Sequence, residues 1–153
     1  MTGPQPTEGA VLEAWQLALL AGARRATLAT IAADGRPRLV PVCFAVASDA
    51  RTLVMALDEK PKRVADPREL ARVRDIVRDA RVTLLVDRWS EDWSELAWVR
   101  LEGRAELVEP GAGGHTEAVE LLRARYSQYM AHALADRPVI RVTIGRVVGW
   151  RSA

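Results

Sequence analysis

Residues 24–57, RRATLATIAADGRPRLVPVCFAVASDARTLVMAL, hold three apolar runs separated by two turn signals. The first run, Arg24 to Ile31, is short and rich in Ala, Thr, Leu and Ile, and it stops at Asp34-Gly35, a dipeptide suited to the positive φ angles of a tight hairpin. A second strand is expected from Pro37 to Val46, a turn at Ser48-Asp49-Ala50, and a third strand from Thr52 to Leu57. Three consecutive strands with such short connections form an antiparallel meander.

Outward from the meander, the pattern alternates between helix and strand. On the N-terminal side, Met1 to Pro6 reads as a flexible leader, and Thr7 is placed to cap a helix reaching about Gly22, with Val11, Leu12, Trp15, Ala18 and Leu19 on one face. On the C-terminal side, Asp58 to Arg63 is a loop, and a helix is expected from about Pro67 to Asp79 that buries Leu70, Val73, Ile76 and Val77. Strands follow at Arg81 to Asp87 and from near Leu96 to Val108, the latter passing a candidate bulge at Gly103. A helix around Thr116 to Ala133 and a last strand from Val139 to Trp150 complete the order α-β-β-β-α-β-β-α-β. Repeated antiparallel neighbours favour a mainly β fold, a closed antiparallel barrel of six strands with flanking helices, as one domain over residues 7–153.

Composition narrows the chemistry. The 153 residues are 49% hydrophobic, enough for one core, and the net charge of +2 gives no broad field to draw the molecule to nucleic acid or to an anionic membrane. One cysteine, Cys43, and two histidines, His115 and His132, offer neither a disulfide nor a zinc-ligand cluster, so no metal is expected. Cys43 reads as a small buried hydrophobe and both histidines as structural or exposed. With no secretory pattern and no apolar run of spanning length, a cytoplasmic location is expected. Gly-x-Ser-x-Gly is absent, and Gly111 to Gly114 lacks the Gly-Lys-Ser/Thr of a phosphate loop.

Two local signals remain. Between Lys60 and Arg81 stand eight basic residues (Lys60, Lys62, Arg63, Arg68, Arg72, Arg74, Arg78, Arg81) against four acidic ones, a surplus suited to an anionic ligand. Lys60, Lys62 and Arg63 in the Pro61 loop are the expected contacts, whereas Arg68, Arg74 and Arg78 read as a solvated helix face. Three tryptophans, Trp89, Trp93 and Trp98, crowd a polar segment, where they can stack on a planar ring, cover a partner, or build a small core under the loop. A nucleic-acid surface is disfavoured, since six carboxylates oppose Arg100 and Arg104 over residues 89–109.

Leu28-Ala29-Thr30, Asp34-Gly35-Arg36-Pro37, Val40-Pro41-Val42-Cys43-Phe44, Asp58-Glu59-Lys60-Pro61-Lys62, Arg81 to Asp87 and Trp98 to Gly103 occur in this order. Together they resemble the pyridoxamine 5′-phosphate oxidase-like split-barrel family, most closely its actinobacterial branch that uses the deazaflavin F420. The resemblance implies a homodimer with cofactor grooves between subunits, acting as an F420-dependent oxidoreductase on a small-molecule substrate, with FMN as the alternative cofactor and a non-catalytic carrier or sensor as the alternative role. It places Lys60 and Lys62 at the cofactor phosphate, with Arg63 and Arg72 in the same basic segment, and the second strand, including Arg38, Val40, Pro41 and Val42, beside the tricyclic ring. Trp98 would reach the site from the partner chain, and Tyr126, Tyr129 or water would donate a proton. Asp75 departs from the family's usual asparagine, and the Arg-x-x-Leu-Leu-Lys signature of true pyridoxamine phosphate oxidases is absent.

Overall fold

The computed structural model describes residues 5–57 and 66–152. Eight strands form one antiparallel sheet: β1 (Thr7–Gly9), β2 (Ala26–Ile31), β3 (Pro37–Val42), β4 (Ala45–Val46), β5 (Thr52–Ala56), β6 (Arg81–Arg88), β7 (Ala97–Val108) and β8 (Val139–Arg151). The helices are α1 (Ala14–Gly22), α2 (Ala71–Arg78) and α3 (His115–Arg125). Strand order is β3-β2-β6-β7-β8-β5-β4, with β1 paired to β8.

This order forces the sheet to curl. Its two end strands, β3 and β4, are neighbours in sequence, and Val42 and Ala45 are three residues apart, so their Cα atoms lie within about 11 Å. The ends therefore approach one another without pairing, and the result is a half-barrel split at Cys43-Phe44. Phe44 turns inward at the split and is fully buried. Alternation does the rest: Ala26, Leu28 and Thr30 of β2 and Val82, Leu84 and Val86 of β6 point inward, so one face of each strand fills the barrel. Leu20, Leu53 and Leu101 join Phe44 in this core, while Val119, Leu122, Tyr126, Tyr129 and Leu134 form a second cluster where α3 packs on β4, β5 and β8.

The turns form where the sequence places them. Gly35 has φ +86°, and Ala50, the only positive-φ residue other than glycine among the described residues, has φ 57° beside Asp49, whose carboxylate accepts the Arg51 and Thr52 N–H groups. The register shift falls between Glu102 and Gly103, where any Cβ on Gly103 would collide with the Thr143 carbonyl.

Four expectations are corrected. Among the described residues the sheet has eight strands rather than six: one is added because Thr7–Gly9, expected within a helix, instead pairs with Gly149, Val148 and Val147, and one because the expected second strand is two, Pro37–Val42 and Ala45–Val46. The helix itself starts at Ala14, where Glu13 and Gln16 form a reciprocal capping box. The expected strand from Pro37 to Val46 breaks because the Phe44 backbone bonds the Tyr126 hydroxyl instead of a neighbouring strand. The two later helices are shorter than expected. Pro67–Glu69 is a separate 3₁₀ turn, divided from α2 by extended Leu70, and α3 ends at Arg125, before Tyr126. On α2, Asp75 rather than Val77 is buried; Val77 is exposed.

Candidate functional site

The outer face of the sheet is read from its registers. Partners across antiparallel strands share a face, so Pro41, Thr27, Leu85, Arg100 and Val148 form one row from β3 to β8, and Leu39, Ala29, Thr83, Glu102 and Arg146 form the next. A third row, Asp87, Trp98 and Trp150, lies toward the end of β6. On this face Leu39 is 65% exposed and Leu85 40%, although both are large and apolar. No described helix lies over them. Strand β3 is also an edge, paired only with β2 among the described residues, so part of its backbone N–H and C=O groups face away from the sheet.

At one end of this face lies a cavity of about 340 Å³ lined by Leu85, Asp87, Trp89, Leu96, Trp98 and Trp150, among others. Trp89 and Trp93 are about 70% exposed, which excludes a small core beneath the loop as the reason for Trp89. Arg100 lies over the Trp98 ring at 5.7 Å and fixes one side of the groove.

On the inner side of β3 the chemistry is ionic. Thr30 and Arg38 are cross-strand partners, and both donate to the same oxygen of Asp75, Thr30 Oγ1 at 2.7 Å and Arg38 Nε at 2.7 Å. Arg78 Nη2 donates to the other Asp75 oxygen at 2.9 Å and to the Ile31 carbonyl at 2.9 Å. Burial alone would raise the Asp75 carboxyl, yet the hydrogen bonds from Arg38, Thr30 and Arg78 outweigh it and hold the group below the ordinary aspartate value. Arg78 is exposed, as expected of a solvated face, and is also tied to a buried carboxylate. Arg68 is likewise paired, to Glu109 and Asp66.

The expected site residues separate. Arg38, Val40 and Val42 lie on the inner side of β3, the two valines against the core, whereas Pro41 faces outward. Arg72 is half-buried on α2. Trp98 lies on the outer face three strands from β3, about 14 Å away at the usual strand spacing, too far to meet Pro41 within one chain. Lys60, Lys62 and Arg63 lie outside the described residues. Tyr126 and Tyr129 are buried in the second core, and the Tyr126 hydroxyl is engaged by the Phe44 and Arg24 backbone. His115 is structural: its Nε2 lies 2.6 Å from the Arg137 carbonyl. Cys43 is half-buried rather than buried. Sequence reading missed Leu39 and Leu85, whose exposure depends on strand order, and undervalued Arg78, although the Asp75 and Arg78 spacing of three was a legible helix pair.

The family model for pyridoxamine 5′-phosphate oxidase matches residues 12–151. The chain belongs to this family. The family's fold recurs in solved structures of low identity. A conserved hypothetical protein of Mycobacterium tuberculosis is 23% identical, with a TM-score of 0.71 over 93% of this chain and 86% of that one. A FAD-binding protein of Mesorhizobium loti is 22% identical, with a TM-score of 0.65 over 96% of each chain. A heme storage protein of Vibrio cholerae is 14% identical, with a TM-score of 0.66 over 89% of this chain and 93% of that one. The family fold thus occurs with more than one ligand. Among the described residues no cluster of three or more His, Cys, Asp or Glu side chains could hold a metal ion, and no helix is long and apolar enough to cross a membrane.

Proposed function

We propose that the protein is a homodimeric oxidoreductase that binds F420 between its subunits and serves hydride transfer to a small organic molecule. The observation that carries this reading is the uncovered outer face of β3, β2 and β6, where Leu39, Pro41, Thr27 and Leu85 face solvent beside an edge strand. A second subunit covers such a face, and its Trp98 supplies the aromatic wall that this chain cannot bring to its own β3. A planar heterocycle fits there: small side chains such as Ala29 and Thr27 leave it room, and open backbone groups of β3 can bond its polar edge.

When bound, the deazaflavin supplies the hydride chemistry. The chain's own residues would hold its anionic end, with Lys60, Lys62, Arg63 and Arg72 as the basic segment, would keep water off its face with Leu39, Leu85 and the partner's Trp98, and would orient the ring along β3. The phosphodiester and carboxylates of F420 carry more negative charge than FMN, and the local surplus of four basic residues from Lys60 to Arg81 favours the more anionic ligand. A cytoplasmic setting suits this chemistry.

FMN is the competing ligand, and the likeness to a FAD-binding protein is the specific observation in its favour. Side-by-side fluorescence titration decides between them. F420 is expected to bind the tighter; equal or reversed affinities would overturn the assignment.

A further inference from the structure

The ionic cluster between β2, β3 and α2 is built differently from a simple ion pair. Its carboxylate, Asp75, is buried, with 3% of the side chain exposed, whereas the two arginine side chains that grip it remain 42% and 43% exposed. Two positive charges meet one negative charge, so one positive charge is left over. Each arginine also has donors to spare. A guanidinium carries five N–H groups, and among the described residues Arg38 commits only Nε while Arg78 commits only Nη2.

Both side chains are aimed as well as charged. Arg38 is held at Asp75 Oδ2 and Arg78 at Oδ1, so both guanidiniums sit against one buried carboxylate with N–H groups still uncommitted among the described residues. Thr30 Oγ1 also donates to that carboxylate, and the Ile31 carbonyl accepts from Arg78 Nη2. The ordering that a ligand would otherwise impose on two long side chains is already complete.

We infer that Arg38 and Arg78, positioned by Asp75, form an oxyanion-binding fork for a phosphate or carboxylate group. As a subsite for the anionic tail of a cofactor, the fork rests on the function proposed above; as an oxyanion site, it is tested without cofactor. The surplus charge attracts the anion, and the planar N–H edges match its paired oxygens.

The test uses protein labelled with ¹⁵N-arginine, following the Nε–Hε resonances of Arg38 and Arg78 while inorganic phosphate or glutarate replaces chloride at constant ionic strength. The fork requires both resonances to move along one shared saturating curve with at least one of the two anions. Saturation with phosphate assigns the fork to a phosphate group, and with glutarate alone to a carboxylate. In Arg78→Gln, the affinity read from Arg38 should fall about tenfold. Shifts that match the chloride reference, or an Arg78→Gln protein that binds like the parent, would overturn the inference. Should that variant fail to fold, the parent titration alone decides. A parent that binds neither F420 nor FMN yet saturates with phosphate retains the fork and loses the proposed function; the reverse result does the opposite.

Discussion

The Tyr126 hydroxyl accepts the Phe44 N–H at 3.1 Å and shares its single proton between the Phe44 and Arg24 carbonyls, each at 3.1 Å, so one side chain of the α3 end ties down the backbone at the split in the barrel. Arg125, the preceding residue, donates to the Leu20, Ala21 and Ala23 carbonyls at the end of α1, which ties the same corner to a second helix. Tyr126→Phe keeps the ring and strands a buried N–H. It should cost about 1–3 kcal/mol, visible as a lower melting temperature with unchanged far-UV circular dichroism. A melting curve that superimposes on the parent's would remove the hydroxyl from this role.

Gly103→Ala tests the bulge. The added methyl meets the Thr143 backbone oxygen, which has no rotamer with which to move aside, so the two longest strands must separate locally. A loss of about 3 kcal/mol or more is expected by chemical denaturation. Full parental stability would mean that β7 and β8 do not run in the register described.

Acid should weaken the protein partly through Asp75. Its carboxyl is held below the ordinary value in the folded state, so its contribution is fully present above about pH 4, the unfolded value, and disappears as pH falls through the lower folded value. Asp79, held at about 2 by Arg81, changes stability in the same direction as pH falls. Asp75→Asn should cost about 2 kcal/mol at neutral pH and flatten the decline in melting temperature below pH 4 relative to the parent. Parallel curves for the two proteins would assign the acid loss elsewhere.

Lys62→Ala is expected to weaken F420 binding by about 1.5–3 kcal/mol, roughly ten- to a hundredfold, with little effect on melting temperature, because a charged residue beside a proline, as the sequence places it, contributes more to a ligand than to a core. Fluorescence titration of both proteins provides the comparison. Unchanged affinity would move the phosphate away from the Pro61 loop.

Light scattering should give twice the 16.8 kDa chain mass for the parent, and Leu39→Asp with Leu85→Asp should shift it toward monomer by placing charges on the exposed outer face. A parent of 16.8 kDa at micromolar concentration is the result that ends the dimer proposal.

Where local chemistry decided the structure, the sequence was readable. Asp34-Gly35 and Asp49-Ala50 make the turns, Gly103 marks the bulge, and the long strands begin and end within a residue or two of their expected limits. Where distant partners decided it, the sequence was silent. Thr7–Gly9 has no strand signal of its own and is extended because β8 lies beside it. Asp75 occupies a buried place that periodicity gave to a valine, because Thr30, Arg38 and Arg78 converge on it from two strands and its own helix. The site follows the same division: the basic surplus was visible in one segment, but the side on which each β3 residue lies required the register.

Strand β8 pairs with β7, β5 and β1, and it follows all of them in the chain. During synthesis those three strands emerge first and wait with unsatisfied edges until residues 139–151 arrive. Pairs such as Thr7 with Gly149 bridge 142 positions, so closure is entropically slow and comes late. A nascent chain arrested before Val139 would expose the inner faces of β5 and β7 together, making that interval the one in which a chaperone is most needed and aggregation fastest.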